Sequence, residues 1–135
     1  MSGLVQRKPK SATGPTRATC RLLWARCDGR CELCGRELTA WIGFSRHHRQ
    51  PRGMGGSQAA WINSPVNLVL LCGSATTADG CHTWVERRRD QARALGLLVP
   101  RPLDPATIPV LVGAATDDPR LVYLTEDGEY SDGVP

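Results

Sequence analysis

The chain has 135 residues, is 41% hydrophobic and only 5% aromatic, and carries a net charge of +4. That length suits one domain with a thin core, and its longest apolar run, residues 66–72, is too short to span a bilayer. Residues 1–19 show no secretory leader, so the expectation is a soluble cytoplasmic protein, in which Cys-x-x-Cys pairs serve as metal ligands rather than disulfides.

Residues 1–15 carry Arg7, Lys8 and Lys10 with almost no apolar content and read as a flexible basic arm. Thr16 can cap a helix running to about Cys27, which Asp28-Gly29 ends. Residues 31–36 form a knuckle in which Gly35 lets the backbone turn around a metal. Trp41 to His47 is rich in strand formers, whereas Gln50 to Ser64, with Pro51, Gly53, Gly55 and Gly56, reads as a long loop. Leu68 to Leu71 is a short buried strand, and 73–80 a polar turn. Cys81 to about Leu95 is a helix stopped by Gly96, Pro100 and Pro102. Two apolar runs, Ile108–Val112 and Leu121–Leu124, flank an Asp117-Asp118-Pro119 turn and signal a hairpin. The fold class is α+β, organised as an arm (1–15), a central unit (16–100) and an acidic C-terminal hairpin and tail (101–135). Trp41, Trp61 and Trp84 are expected in the core.

The chemistry concentrates in one window. Four of the six cysteines and all three histidines lie between residues 31 and 82. Cys31, Cys34, Cys72 and Cys81 form C-x2-C-x37-C-x8-C, and four thiolates in a tetrahedron make a closed zinc site. Cys20 and Cys27 stand outside that pattern and are expected as small buried helix residues. Charge is also uneven: residues 1–101 hold 16 Lys/Arg against 6 Asp/Glu, and residues 102–135 hold 1 against 7. The metal-bearing part is therefore basic, as a polyanion binder should be.

The order His47-His48, Asn67, Cys81-His82, with Cys31-Glu-Leu-Cys34-Gly before it and the Gly-rich segment 53–56 inside it, resembles the HNH nuclease family. The likeness is to its small members with a four-cysteine zinc site, common in tailed-phage genomes, and spans roughly Arg17 to Gly96. It implies a ββα-metal (His-Me finger) fold and hydrolysis of double-stranded DNA, leaving 5′-phosphate and 3′-hydroxyl ends. It also implies genome packaging with the phage terminase as partner, in the host cytoplasm. Position by position, it makes His47 and His82 ligands of a catalytic divalent metal, His48 the general base, and Asn67 the residue that holds the loop and orients the base. Which of the two adjacent histidines is base and which is ligand rests on family order alone. Many relatives have a further His or Asn one turn after the last histidine; here that position is Glu86. A carboxylate there favours Mg²⁺ or Mn²⁺, although it could instead face solvent and pair with Arg89.

Independent chemistry supports the scheme. Cleaving a phosphodiester requires an activated water and neutralised charge on the phosphate, and a histidine near its ordinary pKa accepts a proton at neutral pH. One geometric condition follows: adjacent residues of a regular strand face opposite ways, so His47 and His48 can serve one phosphate only if the strand ends there. Arg46, Arg49, Arg52, Arg87, Arg88 and Arg89 are the expected DNA contacts, positioning the duplex without reading sequence; at least one of the last three must face solvent. The alternatives are a non-catalytic zinc-stabilised nucleic-acid-binding module and an adaptor that works through its acidic tail.

Overall fold

The computed structural model describes residues 14–39, 41, 43–51, 61–74 and 79–134. The mixed α+β expectation holds. Helix α1 (Arg17–Cys27) begins where Thr16 accepts a hydrogen bond from the Thr19 amide at 3.1 Å, and it ends on Asp28 in the left-handed region. Strand β1 (Phe44–His48) pairs antiparallel with β2 (Leu68–Cys72), Phe44 opposite Cys72 and His48 opposite Leu68. A 3-10 turn, Pro65–Asn67, leads into β2. Helix α2 (Cys81–Arg87) follows it, then α3 (Arg89–Ala94). The C-terminal strands β3 (Val110–Val112), β4 (Arg120–Leu124) and β5 (Tyr130–Ser131) form a second antiparallel sheet.

Strand β2 is buried at all five positions because α1 and α2 both pack on it. This explains its unbroken apolar run, where a half-exposed strand would alternate. Leu23 of α1, Val85 of α2, Ala92 of α3 and Val110, Val122 and Leu124 of the C-terminal sheet share that core, all at 1% exposure or less. The acidic hairpin is thus packed onto the body. Its backbone is tied there as well: Gly113 donates to the Glu32 carbonyl at 2.8 Å and Leu111 to that of Leu95 at 2.9 Å.

Five details depart from the sequence reading. The single helix expected over 81–95 is broken at Arg88 (φ −121°, ψ 57°). No Pro or Gly marks the break; tertiary packing imposes it, bringing residues 97–99 back under β1, where Val99 donates to the Arg49 carbonyl at 2.8 Å. Trp41 is 97% exposed rather than core. The strand begins only at Phe44, after a turn closed by Gly43 donating to the Thr39 carbonyl at 3.1 Å. Strand β5 was not anticipated, since two residues give no periodicity. The fifth is Arg49, expected on the DNA face and found in the core.

Two buried arginines join the layers. Arg26 and Glu32 form an ion pair at 2.8 Å with both side chains at 1% exposure or less. The Glu32 carboxylate also accepts from the Tyr130 hydroxyl at 2.7 Å and the Leu70 amide at 2.9 Å. Arg26 donates in turn to the carbonyls of Pro65 and Leu68. One carboxylate inside the cysteine knuckle therefore ties α1, β2 and β5 together. Removing one member of such a pair strands a buried charge, at a cost of about 3–5 kcal/mol. Glu32→Ala is expected to lower the urea midpoint accordingly. The double variant with Arg26→Ala should be less destabilised than the sum of the singles.

Candidate functional site: a four-cysteine centre beside a histidine cavity

The knuckle brings Cys31 and Cys34 to the end of β2, where Cys72 sits, and to the first residue of α2, Cys81. The four sulfurs lie within 4.8 Å of one another. Cys34 Sγ and Cys72 Sγ are 3.8 Å apart, which is the edge of a sulfur tetrahedron built on zinc–sulfur distances of about 2.3 Å. The Cys34 amide points at Cys31 Sγ (3.5 Å) and the Cys81 amide at Cys72 Sγ (3.4 Å), orienting the sulfurs. Gly80 is required at this junction. Its φ is +135°, and a Cβ there would lie 3.1 Å from the Cys72 carbonyl oxygen.

The electrostatics fit a cation. A hydrogen bond from the Cys81 thiol lowers the Cys31 pKa to about 5. Cys81 is pushed up because ionising would forfeit that bond. Burial raises Cys34 to about 11. A positive ion among the sulfurs would favour the thiolate at each of them. The group can hold a metal ion, and zinc suits it. Cys20 and Cys27 lie on α1, half-buried and outside this group. An apolar cavity of about 550 Å³ lies against the cysteines, with Leu33, Trp84 and Leu111 in its wall.

His82 follows Cys81 directly, so the cysteine centre also sets the position of its ring. His47, His48, His82 and Glu86 line one cavity of about 370 Å³, with Arg46 and Arg89 at its sides. The strand ends at His48, which meets the condition for two adjacent histidines to reach one space. The His47 and His82 rings stand edge to face with centroids 6.0 Å apart. Among the described residues, only the four cysteines bring three or more ligand atoms within 4.8 Å of one another; His47, His82 and Glu86 do not.

Hydrogen bonds set the free nitrogen of each ring. His47 Nε2 lies 2.7 Å from the Leu97 carbonyl, which can only accept, so the proton is on Nε2 and Nδ1 keeps its lone pair. Burial lowers the His47 pKa to about 4, keeping it neutral. His82 Nδ1 is 3.0 Å from the Ser45 hydroxyl, leaving Nε2. His48 Nε2 is 2.8 Å from Asn63 Oδ1; an amide oxygen accepts, so Nδ1 of His48 is the basic nitrogen. Ser45 and Asn63 were not anticipated. Ser45 lies two residues before His47, so the two-residue strand period puts both on one face. Asn63 sat in a segment without any period to read.

Asn67 is fully buried and clamps the chain just after the histidines. Its Oδ1 accepts from the Gln50 amide at 2.8 Å, and its Nδ2 donates to the carbonyls of Gln50 and Ile62. It fixes the exit of β1, whereas the partner of the His48 ring is Asn63. Glu86 reaches the cavity and also touches Arg89 at 3.5 Å, both half-exposed.

The arginines divide. Arg46 and Arg89 border the histidine cavity, while Arg87 and Arg88 line neighbouring hollows. Arg52 lies outside the described residues. Arg49 is corrected: it is 0% exposed and donates to the carbonyls of Gly96, Val66, Pro105 and Ile108 at 2.6–3.0 Å. Burial lowers its pKa to about 9, so it stays charged at neutral pH, solvated by carbonyls in place of water.

The depressed pKa of His47 makes stability pH-dependent. The unfolded chain takes up a proton near pH 6.5, and the folded one only near 4. The contribution is therefore complete above about 6.5 and lost as pH falls towards 4. Urea midpoints between pH 7 and 4.5 should fall more steeply for the wild type than for His47→Gln.

Among the described residues, no helix is long and apolar enough to cross a membrane. Comparison with protein-family models, curated proteins and solved structures gives no match.

Proposed function

We propose that this protein is a metal-dependent HNH-type endonuclease acting on double-stranded DNA, with a ββα-metal unit formed by β1, β2 and α2. The observation that carries the reading is the meeting of His47, His48 and His82 in one arginine-bordered cavity. They come there from the end of a strand and the start of a helix.

His47 Nδ1, His82 Nε2 and the Glu86 carboxylate are the donors that would hold a divalent ion, Mg²⁺ or Mn²⁺. Leu97 and Ser45 orient the two rings from behind, as outer partners of metal ligands do. When bound, such an ion supplies charge neutralisation on the phosphate and the leaving oxygen. His48 Nδ1 takes the proton of the attacking water. The water oxygen forms the new bond to phosphorus, the bond to the 3′ oxygen breaks, and that oxygen leaves as a hydroxyl after protonation from solvent. The products carry 5′-phosphate and 3′-hydroxyl ends. Arg46 and Arg89 hold the phosphate without reading bases.

Supercoiled plasmid incubated with purified protein tests this directly. Relaxed or linear product with Mg²⁺ or Mn²⁺, and none in EDTA, is the expected result. DNA binding without cleavage across Mg²⁺, Mn²⁺ and Zn²⁺ would favour the non-catalytic zinc module. The resemblance extends the proposal to genome packaging with a terminase as partner; stimulation of terminase cutting in a reconstituted reaction is the corresponding test.

A further inference from the structure

The histidine cavity continues into a second hollow of about 180 Å³, with which it shares Pro51, Arg89 and Leu98. Arg93 and Arg101 both line this hollow, and among the described residues that line it none is a carboxylate. Arg89 and Arg93 are four residues apart on α3, so they share a helix face about 6 Å apart along the axis. Arg101 comes from the segment after α3, and its guanidinium donates to the Pro51 carbonyl at 2.9 Å, which holds it at the junction of the two spaces. All three arginines are exposed. Arg89 also pairs with Glu86, and Arg93 and Arg101 add two further cations to the wall of the hollow.

Arginines gathered around a hollow repel one another. Their natural complement is a ligand with regularly spaced negative charges and planar oxygen faces, which is a nucleic-acid backbone. The hollow opens from one flank of the histidine cavity, so a strand lying across the histidines would enter it on one side only.

We propose that Arg93 and Arg101 form a phosphate subsite that takes a backbone phosphate on one side of the phosphate in the histidine cavity. This rests on the nuclease reading for the identity of the strand. The subsite makes recognition asymmetric: it sets the direction in which the strand crosses the histidines and places the duplex without regard to sequence.

Binding measured in a His48→Ala background separates the subsite from catalysis. The probe is a fluorescent DNA duplex titrated by anisotropy across 50–300 mM salt. Arg93→Gln and Arg101→Gln should each weaken binding and reduce the slope of log affinity against log salt by about 0.9, the value of one lost phosphate contact on B-form DNA. Arg120→Gln, on the distant C-terminal sheet, should leave the slope unchanged. A single uncharged methylphosphonate at the matching flanking position should weaken the parent but have no further effect on Arg93→Gln. Unchanged slopes in both variants would overturn the subsite even if the wild type cleaves DNA. Reduced slopes with no cleavage in any divalent cation would uphold the subsite and overturn the nuclease reading. A parent that binds no duplex overturns both.

Discussion

Removing the ion from the four-cysteine centre is expected to unfold the chain. The sulfurs join the knuckle after α1, the end of β2 and the start of α2, elements 38 and 9 residues apart along the chain. All four cysteines are free of disulfide bonds, so no covalent link would hold these turns in the ion's place. Leu33 and Leu38, in and just after the knuckle, are both buried in the core. Zinc bound by such sites contributes roughly 10–16 kcal/mol in small peptides, against about 5–15 kcal/mol for the net stability of a domain. The loss is therefore as large as the whole margin. A strong chelator should abolish the native circular dichroism and release one zinc per chain. Cys72→Ser should reproduce that state without chelator, while Cys20→Ser, outside the cluster, should retain full zinc content. A chain that stays folded after losing its metal, or a Cys72→Ser variant that melts like the wild type, would remove the centre from the folding argument.

The parts of the fold that were legible in the sequence are those with local signals. Thr16 and Asp28-Gly29 bound α1 as read, because capping and left-handed turns depend on a few adjacent residues. The apolar run of β2 and the hairpin around residues 117–119 were legible for the same reason. The cysteine spacing was legible because metal ligands admit few residue types. What escaped depends on distant groups. A buried arginine is rare, so Arg49 beside two histidines reads as a phosphate contact. It is buried by carbonyls 17 to 59 residues away, which no window of sequence contains. Asn63 as the partner of His48 depends on residues far apart in sequence, and Asn67 joins Gln50 and Ile62 near them by three hydrogen bonds.

The adjacency of Cys81 and His82 carries a mechanical consequence. One residue closes the cysteine centre, and the next presents its ring to the other cavity. Likewise, Cys72 ends the strand whose partner, β1, bears His47 and His48. The two sites are therefore joined by one peptide unit and one strand pair. Loss of zinc should disable the histidine cavity along with the fold, so activity comparisons between variants are meaningful only at equal zinc content.

At equal zinc content, His48→Ala should lower plasmid cleavage by about 10²–10⁴-fold, the usual contribution of a general base, with duplex affinity unchanged. The reason is the ring's chemistry. Asn63 accepts from Nε2, so Nδ1 is the nitrogen able to take a proton, and methyl replacement removes it with no change to the ion's donors. His47→Ala should behave differently. It deletes a donor whose other nitrogen is fixed on the Leu97 carbonyl, so calorimetry with Mn²⁺ should show weakened binding, and excess Mn²⁺ should recover part of the activity. Asn63→Ala should fall between the wild type and His48→Ala, because the ring remains but its tautomer is no longer held. The two histidines are thus distinguished by metal dependence rather than by loss of activity alone. If His48→Ala loses Mn²⁺ affinity while His47→Ala binds the ion normally and does not cleave, the roles are exchanged. If neither substitution changes cleavage, the cavity is not where the phosphodiester is broken.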